Sequence, residues 1–120
     1  MGSRGYTLAT RYILGRIAVI ELTGELDLSN VPDLFKEINT ISKEVGYHVI
    51  IDTTGVEYLD SVFMQELIKL WRETRKNDGY LKILTPNEFF RKIFHIVGLD
   101  DFIDVCECMT DLGISPIYIN

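Results

Sequence analysis

The chain has 120 residues, 47% of them hydrophobic and 25% charged, with a formal net charge of −6. That is one domain's worth of sequence, with enough apolar content for a real core and a composition that excludes long disorder. The acidic balance argues against nucleic-acid and anionic-membrane partners, because both reward basic patches.

Residues 1–5 are short and polar, and they read as a flexible tail ahead of one domain over 6–120. They do not carry the pattern of a secretory signal, and no apolar run approaches the roughly 20 residues of a membrane span. Residues 6–11 alternate and end near Leu14-Gly15, a turn pair. Residues 16–23 (R-I-A-V-I-E-L-T) are rich in β-branched side chains, so the two runs predict an opening hairpin. Gly24 then breaks the strand pattern, and residues 24–29 predict a loop.

Asn30 predicts a helix N-cap, with Asp33 three residues on and Pro32 in the first turn. Leu34, Phe35, Ile38 and Ile41 or Ser42 recur at helical spacing until Gly46. Residues 48–52 (H-V-I-I-D) form a continuous apolar run, the mark of a strand buried on both faces. Residues 53–60, containing Gly55, predict a loop. A second helix follows from Ser61, with Met64, Leu67, Ile68 and Trp71 as its core stripe. Residues 80–84 predict a strand. Thr85, Pro86 and Glu88 together predict a helix start, and Phe89, Phe90, Ile93, Phe94 and Val97 stripe that helix as far as Gly98. Residues 102–106 predict a short strand, 110–113 a helical turn, and 114–120 a terminal segment.

The order β-β-α-β-α-β-α-β predicts an α/β fold with a mixed, mainly parallel sheet and right-handed crossovers. In such sheets the functional loops lie at the carboxyl ends of the parallel strands. The loops at 24–30 and 53–61 both qualify, and they should converge on one rim.

Ser61 is the first candidate. As a plain N-cap, its hydroxyl accepts an amide hydrogen and stabilises the helix by about 1 kcal/mol. As a modification site, the same position offers unpaired amides and partial positive charge. A phosphate there adds about −1.5 to −2 charge without unfolding the domain, and Asp60 beside it adds repulsion toward a docked partner. The two roles are compatible. Val62 and Phe63 lie off the predicted core stripe. They either pack under a neighbouring loop or belong to an exposed apolar contact surface. Asp27 is either a turn residue or a polar contact on the rim.

Asp52, at the end of its predicted strand, is a loop-capping carboxylate or a phosphoacceptor of the receiver type. The acidic pair that a receiver needs for Mg²⁺ is missing after the first buried strand. His48 and His95 have no nucleophile motif near them, and neither a P-loop nor G-x-G-x-x-G occurs. No active site assembles, so no catalytic residue and no cofactor is expected. Cys106 and Cys108 stand one residue apart, which suits two thiols in a reducing compartment better than a strained disulfide. A C-x-C is half of a metal site, but no second Cys/His pair accompanies it.

Several motifs in order carry a resemblance. They are Gly24-Glu25-Leu26-Asp27, Val49-Ile50-Ile51-Asp52, Val56-Glu57-Tyr58-Leu59-Asp60-Ser61, Gly79-Tyr80-Leu81-Lys82-Ile83-Leu84 and Ile96-Val97-Gly98-Leu99. Over about 6–104 the chain resembles the STAS domain family, whose best-known members are bacterial anti-sigma-factor antagonists. The resemblance implies a mixed sheet of four to five strands flanked by three to four helices. It also implies a cytoplasmic binding protein, not an enzyme, that takes part in transcription regulation. Such a protein holds an anti-sigma factor that is itself a serine kinase. It lets go when the kinase, using ATP, phosphorylates the first serine of an Asp-Ser-Ser/Thr-Gly-Leu motif, and a phosphatase resets it.

That serine carries over to Ser61, with Asp60 before it and Met64 at the leucine. Asp27 matches the loop aspartate near the partner interface. Val62-Phe63 stands where the family has Ser/Thr-Gly, and Phe63 either obstructs a kinase or offers it a contact. The expected partner-contact residues are therefore Asp27, Leu28, Ser29, Asn30, Asp60, Ser61, Val62 and Phe63. Two other readings stay open: a phosphorylation-independent STAS scaffold or adaptor, and a receiver-like domain phosphorylated on Asp52.

Overall fold

The computed structural model describes residues 5–112. The tail expected over 1–5, except Gly5, and the terminal segment at 114–120 lie outside the described residues. The order of elements is the expected one. The strands are β1 (Tyr6–Ile13), β2 (Ile17–Leu26), β3 (His48–Leu59), β4 (Tyr80–Leu84) and β5 (Asp104–Cys106). The helices are α1 (Val31–Glu44), α2 (Ser61–Lys76) and α3 (Glu88–Ile96), with short 3₁₀ turns at Leu99–Asp101 and Met109–Leu112.

The five strands lie side by side in chain order. β1 runs antiparallel to β2, and every later pair is parallel. Each crossover moves one strand in the same direction. With the usual right hand, that sequence of steps stacks all three helices on one face. The main core lies between them. Ala18, Ile20, Leu22, Val49, Ile51, Leu81 and Ile83 of the sheet meet Leu34, Phe35, Ile38, Leu67, Leu70, Phe90 and Phe94 of the helices. The alternate strand positions Val19, Ile50 and Leu84, with Ile13, form a smaller cluster on the other face.

β2 and β3 run further than their sequence pattern indicates. Gly24 does not end β2. It sits inside the strand at φ +97°, and a Cβ there would lie 2.2 Å from the Gly5 carbonyl oxygen. Only glycine lets β1 and β2 close at that point. The loop expected at 53–60 is strand as far as Leu59. The β2–β3 register shifts twice, between Glu21 and Thr23 and between Gly24 and Glu25. Gly55 therefore marks a bulge within the strand, and the β-branched and aromatic residues around it stay in the ladder.

The turn at Leu14-Gly15 forms as expected, closed by Arg16 N–H donating to the Ile13 carbonyl at 3.0 Å. Leu14 and Gly15 both have positive φ, 53° and 66°. Asn suits the first of these positions, whereas the Leu side chain is strained there. Leu14→Asn should stabilise the fold by about 0.5–1 kcal/mol, a gain comparable to other relief of backbone strain at turns. Thermal unfolding checks this, and an unchanged or lower Tm refutes it.

The start of α3 differs from expectation. The capping side chain is Asn87, whose Oδ1 accepts the Phe90 N–H at 3.1 Å. Thr85 is buried, with its amide donating to the Cys106 carbonyl at 2.8 Å. It still belongs to the strand ladder, so it cannot cap, and Pro86 precedes the helix.

Candidate functional site

β2 and β3 finish together. Leu26 pairs with Leu59, and Asp60 N–H donates to the Leu26 carbonyl at 3.2 Å. The turn after β2 and the head of α2 therefore share one rim, as the topology predicts.

In the turn, the Asp27 carboxylate accepts the Ser29 N–H at 2.9 Å and the Ser29 hydroxyl at 2.5 Å. The Asp27 carbonyl accepts the Asn30 and Val31 N–H groups. Asp27 thus builds its own loop, an Asx turn. Leu28 and Ser29 are exposed at the tip. Asn30 requires a correction. It stands at the cap position of α1 but makes no side-chain cap bond. Its Oδ1 accepts the Asp27 N–H at 3.0 Å, and its Nδ2 donates to the Glu25 carbonyl at 2.7 Å. At 7% exposure it braces the loop from beneath and presents little surface of its own.

At the head of α2 the cap is Asp60, not Ser61. The Asp60 carboxylate accepts the Val62 N–H at 3.0 Å and the Phe63 N–H at 3.4 Å. Its charge also suits the positive end of the helix. Ser61 becomes the first helical residue and is exposed. Its hydroxyl has no capping duty, so it is available for chemistry without cost to the helix.

Phe63 requires a second correction. It is 0% exposed and meets Phe35 of α1 edge-on, with ring centroids 5.7 Å apart. The fully buried stripe of α2 is Phe63, Leu67, Leu70 and Thr74, while Met64, Ile68 and Trp71 are only partly covered. Phe63 thus turns into the core and leaves no surface in front of Ser61. Val62 packs against the core yet keeps part of its surface.

Sequence reasoning missed two parts of this rim. Tyr58, the last residue but one of β3, is exposed. A groove of about 210 Å³ runs beside Ser61, lined by Met64, Ile68, Val97, Leu99 and Phe102. Phe102 leans on Trp71 with centroids 5.2 Å apart. Val97, assigned above to a core stripe, is exposed, as is Phe89. Only three-dimensional packing brings the turn that follows α3 against α2. In the last turn of α3, His95 Nδ1 lies 2.8 Å from an Asp100 carboxylate oxygen, and that hydrogen bond raises the His95 pKa above its ordinary value.

Asp52 lies inside β3, not at its end. It is buried, and its carboxylate accepts the Thr54 N–H at 2.9 Å and the Thr54 hydroxyl at 2.5 Å. No group of three or more His, Cys, Asp or Glu side chains among the described residues is placed to hold a metal ion. No helix among them is long and apolar enough to cross a membrane.

The architecture defines a class: a small α/β domain whose carboxyl-end rim presents a serine at the head of a helix. The sequence model of the STAS domain matches residues 9–112, and the chain belongs to that family. A curated relative, the anti-sigma-B factor antagonist of Staphylococcus epidermidis, is 30% identical over 88 residues, covering 73% of this chain and 82% of the relative. An anti-sigma factor antagonist from Mycobacterium paratuberculosis superposes with a TM-score of 0.80 at 23% identity, covering 92% of each chain. The Bacillus cell fate determinant SpoIIAA, in its phosphorylated form, superposes with a TM-score of 0.66 at 22% identity, covering 89% of this chain and 96% of that one. At such identities the superpositions speak for the fold.

Proposed function

We propose that this chain is an anti-sigma-factor antagonist, a binding module that sequesters an anti-sigma factor and is switched off by phosphorylation at Ser61. The whole of 6–120 forms the module, and it works in the cytoplasm. The observation that carries this reading is the exposed Ser61 hydroxyl, released from capping by Asp60, on the rim shared with the Asp27 turn. The names of the curated relatives support the choice of partner.

The chemistry belongs to the partner. An anti-sigma factor with serine kinase activity transfers the γ-phosphoryl group of ATP to Ser61 Oγ, releasing ADP and the hydroxyl proton. The product carries about −1.5 to −2 charge beside the Asp60 carboxylate. Asp60 keeps its cap bonds, so the host fold survives while the docked surface is repelled. Removal of the group by a phosphatase restores binding.

A phosphorylation-independent scaffold is the second reading, favoured by Val62-Phe63 at the Ser/Thr-Gly positions of the family motif. The inward turn of Phe63 takes away its steric basis. A receiver-like use of Asp52 gains no support from a buried carboxylate already bonded to Thr54.

Incubation with ATP and the anti-sigma kinases of the same cell, followed by mass spectrometry, tests the proposal. Label on Ser61 with loss of binding is expected. Binding with no label leaves the scaffold reading, and label on Asp52 from a small phosphodonor leaves the receiver reading. Either result overturns the switch.

A further inference from the structure

We propose that Asn30 is a positioning residue for partner recognition: its buried carboxamide holds the Asp27–Ser29 turn in the shape that the anti-sigma factor binds, without facing that partner itself. This inference rests on the function proposed above.

The turn is closed by two side-chain arms. The Asp27 carboxylate accepts the Ser29 N–H at 2.9 Å, and the Asn30 side chain reaches back to accept the Asp27 N–H at 3.0 Å. Reciprocal bonds of this kind resemble a capping box, with Asn at the returning position where Glu or Gln is usual. They fix Leu28 and Ser29, the two exposed residues at the tip. They also fix the Asp27 carboxylate, whose second oxygen takes no hydrogen bond among the described residues.

Asn30 also ties the turn to the sheet. Its Nδ2 donates to the Glu25 carbonyl at 2.7 Å, next to the end of β2. The Glu25 N–H donates to the Gly5 carbonyl at 2.9 Å, and a Cβ on Gly5 would lie 2.9 Å from Asn30 Nδ2. The carboxamide is therefore enclosed between the head of β1, the end of β2 and the turn. Its orientation is set by its partners, because an amide N–H needs Oδ1 and a carbonyl needs Nδ2. Asp in its place would aim an oxygen at the Glu25 carbonyl, and Ala would offer neither group.

The same strand end carries Ser61. The Leu26 carbonyl, one residue before the turn, accepts the Asp60 N–H, so the turn and the head of α2 leave the sheet side by side. A surface already in its bound shape loses less conformational freedom on docking than one that must be ordered first. Asn30 acts on affinity through that difference.

The test uses the full chain and the anti-sigma kinase that binds the wild type. Asn30→Ala should weaken binding about tenfold by calorimetry, roughly what one or two neutral hydrogen bonds are worth. In the kinase assay the KM for this chain should rise by a similar factor with kcat unchanged, since Ser61 and its Asp60 neighbour are untouched. In the unbound variant the Ser29 amide should exchange its hydrogen faster, because the turn has lost its returning arm. Asn30→Ser, whose hydroxyl can still accept the Asp27 amide hydrogen, should fall between Asn30→Ala and wild type, and it carries the test if Asn30→Ala does not fold. Ser42→Ala removes a buried hydroxyl bonded to the Ile38 carbonyl toward the other end of α1, and it should leave affinity and KM unchanged. If the folded Asn30 variants bind and are phosphorylated as wild type is, while Ser61→Asp loses binding, this inference is overturned and the function stands. Weaker binding with unchanged Ser29 exchange would make Asn30 a direct contact and also overturn it. If wild type binds no anti-sigma kinase, both ideas fall.

Discussion

Ser61→Asp should fold as the wild type does and bind the anti-sigma partner about a hundredfold more weakly. Stability should hold because the residue is exposed and occupies the first position of α2. An acidic side chain in the first turn interacts favourably with the helix end, and surface changes of this kind stay within about 0.5 kcal/mol. Binding should fall because the new carboxylate stands beside that of Asp60, which is fixed by its bonds to the Val62 and Phe63 amides. A charge forced under a docked surface without a partner costs about 2–5 kcal/mol. A hundredfold loss corresponds to about 2.7 kcal/mol, inside that range. Ser61→Ala separates charge from contact: it should keep the affinity and take no phosphate. Equal affinity for Ser61→Asp and wild type would sink the switch.

The order of elements was legible because each carries its own period, 3.6 in the helices and continuous or alternating in the strands. Strand ends were not. Gly24 and Gly55 punctuate a sequence in the same letters whether they end a strand or let it bulge, and only the closeness of Gly5 and of Thr23 decides. Helix caps failed for a related reason. Asp60-Ser61 and Thr85 through Asn87 each hold more than one residue able to cap. The choice falls to where the strand ladder releases the chain, and Cys106 holds Thr85 past that point. The rim itself was legible from topology, since two parallel neighbours must end on the same side. Its far wall was not, because Val97 and Phe102 reach the groove beside Ser61 only where the turn after α3 meets α2.

The phase of α2 is the most consequential misreading, and it carries the other large prediction. Phe63-Leu67-Leu70-Thr74 and Met64-Leu67-Ile68-Trp71 are both helical stripes. Together they make an arc wider than one sheet face covers, so sequence alone cannot say which edge is deeper. Contact with Phe35 settles it for Phe63. Phe63→Ala should therefore cost about 3–5 kcal/mol, the range for emptying a buried aromatic site. Against a total stability of about 5–15 kcal/mol for a domain, that is a large fraction. Restoring the family's glycine at this position should cost about 1 kcal/mol more, because Gly is a poor helix former. Met64→Ala, on the partly covered flank, should cost less than Phe63→Ala. Denaturant titration of the variants measures these differences directly. A Phe63→Ala loss below about 1 kcal/mol would mean the ring is not core, and the residue would return to the list of surface contacts.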